Sequence, residues 1–467
     1  KRPPSHVRSS FVDRGQTDHF ARTPVTVRNR ILSLLALLSI GLYPIEEVST
    51  QIPGSERTKP HLPSWNFMSL STTGVDSFLK EHPTWDGRGV TILIFDTGVD
   101  PSIAGLGRTS TGEPKVVDLV DLSGSNVVSL IAAERDDDEV EAEENDDIRL
   151  DLGDHAASIP EDELFIGMIE ERRFRNASIR DFDGDGLSET SFRILLFPTA
   201  NGPRVAVDAD GNGRLDTDDP ILGDYRATAE TLLFRQKEAD DASPVTAGLS
   251  IDAAEQRVTL HYDMDGHGTH VAGIAAGYGI SNESGFNGVA PGAEVISVKF
   301  SSDPDESLTI TGTMEAAYNY AAELADSLAL VGRPVVVNMS FGIGSSYEGK
   351  AKMEEMIDDI IAKHSNLYVV TSAGNEGPGL SSVGIPAAAA LPISVGAALP
   401  RGIARGAYGA AIEQDILWNF SSRGGEVDKP DVVAPGTAIS TVSVIVSSES
   451  DSVGSIRRAI SSATGFL

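Results

Sequence analysis

The sequence predicts an α/β fold: a doubly wound parallel sheet with a largely β, acidic insertion. Three observations carry this. Thr91–Phe95 (T-I-L-I-F) is a nearly continuous apolar run, the mark of a strand buried on both faces of a parallel sheet. From Val295 onward, short apolar runs alternate with helical patterns, which is the rhythm of βα units. Between these two stretches, residues 102–262 abandon that rhythm and turn acidic.

The chain in order supports each part. Residues 1–48 carry arginines, among them Arg28 and Arg30, ahead of an apolar run from Ile31 to Leu42. A charged segment before about a dozen apolar residues fits a signal peptide or an uncleaved anchor, and it falls short of the ~20 residues of a membrane span. The expected location is therefore extracellular or in the cell envelope, with anchoring by this segment as a further expectation. Residues 49–72 are polar and Pro-bearing and read as a linker. Residues 73–101 open the α/β domain, which resumes over 263–467. The turn-like Trp85–Val90 (W-D-G-R-G-V) leads into the Thr91 strand, which ends at Asp96.

Within 102–262, Lys115–Leu122, Phe192–Pro198 and Arg257–Tyr262 read as strands. In the last, Val258, Leu260 and Tyr262 alternate with polar residues, as in a half-buried strand. Asp136–Asp147 (D-D-D-E-V-E-A-E-E-N-D-D) predicts a solvated, mobile loop, because such a charge run cannot bury itself. Two aspartate-rich loops suggest structural calcium. Asp208, Asp210, Asn212, Asp216 and Asp219 place oxygens at positions 1, 3, 5, 9 and 12 of an EF-hand-type loop, with Gly213 at position 6. Asp181, Asp183 and Asp185 repeat the first half of that pattern, but Phe192 occupies position 12. The alternative is a pair of Asx turns in an acidic protein.

Past Gly277 the sequence predicts strands at Val295–Phe300, Pro334–Met339, Leu367–Thr371 and Pro392–Gly396, and helices at Gly312–Leu328 and Met353–Lys363. Composition narrows the partners. Against 37 Lys and Arg stand 69 Asp and Glu, a net charge of −32 over 467 residues. Such a surface repels nucleic acid and anionic lipid and suits divalent cations. Cysteine is absent, so no disulfide framework exists.

The chemistry concentrates at Asp263–Gly277 (D-M-D-G-H-G-T-H-V-A-G-I-A-A-G). An imidazole at the mouth of a small-residue helix suits a general base. Two histidines three apart fit a packed core equally well, and a zinc helix needs them four apart with a glutamate between. Asp96 sits at the carboxyl end of a buried strand, where α/β sheets build their sites, although an aspartate before Thr-Gly also forms turns.

Together the motifs are specific. D-T-G-V-D at 96–100, H-G-T-H-V-A-G at 267–273, N-M-S-F-G at 338–342, S-A-G-N-E-G at 372–377, N-F-S-S-R-G at 419–424 and K-P-D-V-V-A-P-G at 429–436 resemble the subtilase family of serine peptidases. The resemblance implies that Asp96 orients the imidazole, His267 acts as general base and then acid, and Asn375 donates to the oxyanion. It implies that Ser340, Phe341 and Gly342 line the cleft for protein or peptide substrates, and it leaves His270 as a structural residue. Within the family, residues 73–90 and the long Asp-to-His insertion resemble the tripeptidyl peptidase II-like group. The exopeptidases of that group hold a free substrate amine with acidic side chains, whereas the estimated counterparts here are Asn319 and Ile343. The expectation is therefore a serine-type endopeptidase, with a tripeptidyl-type exopeptidase or a non-catalytic calcium-binding module as alternatives. The family's nucleophile motif, G-T-S-M-A, is not found: Gly436-Thr437-Ala438 has alanine at the serine position, and Ser461 and Ser462 lack its neighbours. With Asp96, His267 and Asn375 intact, the reading is that the serine lies beyond Leu467 and that this polypeptide alone is inactive.

Overall fold

β1 (Thr91–Asp96) is buried at every one of its six residues, as its unbroken apolar run requires. In the computed structural model the described residues are 70–124, 126–171, 189–234, 245–263, 266–282, 284–300, 310–345 and 347–437. Two short helices, α1 (Leu70–Thr73) and α2 (Val75–Glu81), precede β1, so the expected linker gives way to helix slightly before residue 73. After β1 come β2 (Val116–Asp121), β3 (Val127–Ser129), β4 (Ile131–Asp136), β5 (Glu139–Ala142), β6 (Asn145–Asp151), β7 (Leu164–Glu170) and β8 (Ser191–Thr199). Next are β9 (Gly202–Val207), β10 (Ile221–Leu222), α3 (Tyr225–Thr228), β11 (Leu232–Phe234), β12 (Val245–Asp252) and β13 (Arg257–His261). The α/β rhythm then resumes with α4 (His267–Ala276), β14 (Glu294–Lys299), α5 (Ile310–Ala329), β15 (Val335–Met339), α6 (Lys352–Lys363) and β16 (Leu367–Ser372). It closes with β17 (Ile393–Leu399), α7 (Arg401–Tyr408), β18 (Ile416–Leu417) and β19 (Val432–Pro435).

The central sheet runs β18-β17-β16-β15-β1-β14-β2, with β19 also on β17. All its pairings are parallel except β17 with β18. Helices cover both faces, which is why its strands carry no polar face. Leu93 and Phe95 share a core with Met314, Tyr318, Ala321 and Ala325 of α5 and Ile357 of α6. Ile92 and Ile94 pack with Val271, Ala272 and Ala276 of α4 on the opposite side. The small residues of α4 and the i, i+4 alanines of α5 let these helices lie close to the sheet.

The insertion is two antiparallel sheets, ordered β10-β9-β8-β7-β4-β5-β6 and β11-β12-β13-β3. Phe192, Ile194 and Leu196 of β8 face Phe234, Leu249, Val258 and Leu260 across one core. Leu195 and Phe197, pointing the other way, join Val140, Leu150 and Leu215 in a second. Two expectations change. β2, assigned by sequence to the inserted region, is the edge strand of the parallel sheet, registered on β14 from Val116 to Asp121. The acidic run at 136–147 is not a loop but the β4-β5-β6 meander. Val140 and Ala142 are buried while Glu139 stays exposed, so one apolar residue in every two is enough to seat a strand despite the charge.

The signal-like segment, most of the linker, Asp181, Asp183, Asp185, Ser461 and Ser462 lie outside the described residues. Among the described residues no helix is long and apolar enough to cross a membrane.

Candidate active site

The sheet brings three motifs to one edge. β1 lies between β14 and β15, and β15 pairs in turn with β16, with Phe95 opposite Met339 and Met339 opposite Thr371. Because all three strands run the same way, Asp96, Ser340 and the loop to Asn375 emerge at the same carboxyl end. Asp96 is the last residue of β1 and only 3% exposed. His267 is the first residue of α4, 171 positions later, and its Nδ1 lies 2.7 Å from Asp96 Oδ1. With Nδ1 donating to the carboxylate, the basic lone pair sits on Nε2. Asp96 Oδ1 also accepts from the Thr97 amide at 2.8 Å, which holds the carboxylate in place.

Two glycines make this approach possible. Gly98 has φ 127°, and a Cβ there would collide with the Tyr262 carbonyl. A Cβ on Gly268 would collide with the Gly98 carbonyl. Hence D-T-G and H-G-T need glycine at their contact. The segment entering α4 is anchored from below by Lys299 of β14. Its buried Nζ donates to the Tyr262 carbonyl at 3.2 Å and stands 3.9 Å from the centre of the Tyr262 ring.

Of the cleft residues, Ser340 accepts at Oγ from Asn338 Nδ2 at 3.1 Å. Phe341 meets Phe300 edge-on at 5.4 Å, so its ring packs toward the core and the exposed Gly342 follows it. Asn375 is exposed just beyond β16. His270 is buried in α4, in keeping with a packing role. Sequence reading missed Thr97, Asp263 and Thr269. Asp263 bonds Thr97 Oγ1 at 2.8 Å and the Thr269 amide at 2.9 Å, tying the aspartate loop to the histidine helix. The signal was an acidic residue a few positions ahead of an uncapped helix start.

The loop over Asp208–Asp219 closes on itself. Asp208 Oδ2 accepts from the Gly213 amide at 3.0 Å, and Asp219 accepts from the Ala209 and Asp216 amides at 3.0 and 2.7 Å. Asn212 donates to Asp210 and Asp216. Asp208 is fully buried and its Oδ1 has no hydrogen-bond partner. Burial pushes its carboxyl up to about 6; the Gly213 amide and Arg193 oppose this, and Asp210 and Asp219 add like charge. Among the described residues no three His, Asp or Glu groups converge as a metal centre.

Comparison with known proteins identifies the family and the fold. A family profile described as the Subtilase family matches residues 87–461. Tripeptidyl-peptidase 2 of Oryza sativa subsp. japonica is 28% identical over 445 residues, covering 81% of this chain and 32% of that protein. Pyrolysin of Pyrococcus furiosus is 28% identical over 475 residues, covering 84% of this chain and 31% of its own length. The crystal structure of Tripeptidyl Peptidase 2 superposes with a TM-score of 0.54 at 26% identity, over 70% of this chain and 29% of that one. The chain therefore spans about a third of the length of these relatives.

Proposed function

The chain belongs to the subtilase family, and from that premise we propose that it forms the Asp-His part of a serine-type endopeptidase acting on proteins or peptides. The observation that carries the proposal is the 2.7 Å contact between the buried Asp96 carboxylate and His267 Nδ1. Asp96 holds the tautomer with its lone pair on Nε2 and stabilises the imidazolium. His267 takes the proton of a serine hydroxyl as that oxygen attacks the scissile carbonyl, then returns it to the leaving amine. Asn375 donates to the oxyanion, an interaction worth about 3 kcal/mol in subtilisin itself. The Ser340–Gly342 backbone pairs with the substrate. No residue of the present sequence is assigned as the serine. In protein that includes the nucleophile, a fluorophosphonate probe should label the wild type and not His267→Ala. Persistent labelling of the variant overturns the assignment of the base.

Endopeptidase action rests on Asn319, exposed on α5, and Ile343, neither of which is acidic. The match to Tripeptidyl-peptidase 2 over 81% of the chain favours the second reading, an exopeptidase releasing tripeptides. An internally quenched peptide with an acetylated amino terminus separates them. Cleavage of it supports the endopeptidase; cleavage only of free-amine peptides, three residues in, establishes the alternative.

The proposal includes structural calcium at Asp208, Asp210, Asn212, Asp216 and Asp219. It is supported by the loop spacing and by the buried, unpartnered Asp208 Oδ1, and it requires the other carboxylates to turn away from the loop amides. Chelation should then lower the melting temperature of the wild type, and Asp208→Ala with Asp210→Ala should abolish that response; equal melting with and without chelator overturns the site. Action outside the cell or in its envelope is proposed on Arg28, Arg30 and the Ile31–Leu42 run.

A further inference from the structure

We infer that Asp263 is a positioning residue for the catalytic pair: its carboxylate locks the start of α4 to the loop after Asp96, and so sets the placement of His267. The inference rests on the peptidase reading above for its kinetic consequence, but its geometry stands alone.

The N-cap of α4 is Gly266, at φ 84°, with no side chain to satisfy the first-turn amides. Orphan N–H groups at a helix start need partners from elsewhere. Asp263 supplies them: Oδ1 accepts from the Gly266 amide at 3.1 Å, and Oδ2 accepts from the Thr269 amide at 2.9 Å. Of the two amides between them, that of Gly268 donates to Thr97 Oγ1 at 3.2 Å. The helix start is thus capped by side chains from outside it, one of them from the aspartate loop.

The same carboxylate reaches across to that loop. Thr97 Oγ1 has one proton, and Asp263 Oδ1 at 2.8 Å is a nearer acceptor than Asp96 Oδ1 at 3.3 Å. Asp263 therefore draws the hydroxyl proton, which leaves Asp96 Oδ1 to the Thr97 amide and His267 Nδ1. On its other side Thr269 Oγ1 donates to Asp263 Oδ2 and accepts from the Asp100 amide at 2.9 Å. Two bridges, Thr97–Asp263 and Asp100–Thr269–Asp263, flank the residue pair whose separation decides catalysis. Charge-assisted bonds of this kind are about twice as strong as neutral ones. A negative group is also favoured at a helix N-terminus. A misplacement of about 1 Å at a reacting group can cost on the order of 100-fold in rate.

The test uses nucleophile-containing protein and two readouts. In Asp263→Ala, kcat should fall roughly 100-fold while KM changes less than about threefold, because binding is untouched and only the alignment of the base is lost. The low-field proton resonance of the His267 Nδ1–Asp96 hydrogen bond, assigned with labelled histidine, should shift or broaden away in the same variant. Val258→Ala, in the core of the insertion, controls for general destabilisation and should keep both signals. Should Asp263→Ala not fold, the pair Thr97→Ser and Thr97→Val decides: serine keeps kcat within about twofold and valine lowers it about tenfold. A wild type that neither turns over nor labels refutes the peptidase reading and leaves the resonance to judge the positioning. An active wild type whose Asp263→Ala variant retains kcat and the resonance, or a Thr97→Val equal to Thr97→Ser, overturns the inference.

Discussion

β1 and β5 are both strands, and they are seated by opposite rules. β1 has no polar side chain between its terminal residues, Thr91 and Asp96, and is buried throughout, because helices lie on both faces of its sheet. β5 reads Glu139-Val-Glu-Ala142 and buries only Val140 and Ala142, since at β5 only one face of the sheet is packed. Charge can therefore accumulate in the insertion without disrupting it, whereas the inner strands of the parallel sheet carry charge only at their ends, and a mid-strand carboxylate, Asp118, occurs only on the edge strand β2. Asp96 is one such strand-end charge. Parallel strands gather their carboxyl ends at one edge, and the antiparallel sheets of the insertion do not, so the proposed site collects on one region and the acidity on the other.

Substitutions in the two regions test this contrast. The largest effect should come from applying one chemical change to both regions. Asp96→Asn should lower kcat by about 10⁴-fold, because the amide selects the wrong histidine tautomer. Glu139→Gln should leave kcat as it is, and a loss there would show that the insertion takes part in the chemistry. Next in size are the cores. Phe95→Ala and Phe192→Ala should each cost about 3–5 kcal/mol, since both rings are fully buried. Tyr225, whose hydroxyl donates to the Val116 carbonyl at 3.1 Å, and Gly248, pressed against Leu119, join the insertion to β2. Calorimetry should accordingly show one transition in both variants; a separate early transition in Phe192→Ala would mean the regions fold independently.

A smaller effect is expected from pH. The Asp208 carboxyl is raised in the folded state to about 6 from 3.8, so the folded protein binds this proton more tightly than the unfolded chain. In chelator, its contribution is favourable at low pH and is lost as pH rises through about 6. Asp208→Asn should flatten the melting temperature between pH 4 and 7 on this account, and an unaltered slope would locate the dependence elsewhere. The smallest effect belongs to Glu139→Gln and Glu141→Gln, each within about 0.5 kcal/mol in denaturant melts, because neither carboxylate is buried.

Much of the parallel sheet was legible in advance. Strands read at Thr91–Phe95, Val295–Phe300 and Pro334–Met339 correspond to β1, β14 and β15, with boundaries shifted by a residue or so. Apolar continuity is a local property, so a strand buried on both faces announces itself. The strand read at Arg257–Tyr262 was equally plain, its alternation matching the buried Val258 and Leu260. The acidic meander was not, because the two apolar residues that seat β5 are outnumbered by the charges around them. The membership of β2 was also hidden, since its pairing with β14 joins residues nearly two hundred positions apart.

The strand cores, the family motifs and the residue types of the proposed catalytic pair were written in neighbouring residues, and so could be read from the sequence. Tertiary structure alone decided that Asp96 and His267 meet, that β2 belongs to the sheet, and that Asp263 closes the gap between the aspartate loop and the histidine helix. The physical reason is the same in each case. A hydrogen bond is directional over about 3 Å, and whether two groups meet that condition depends on how every intervening strand packs.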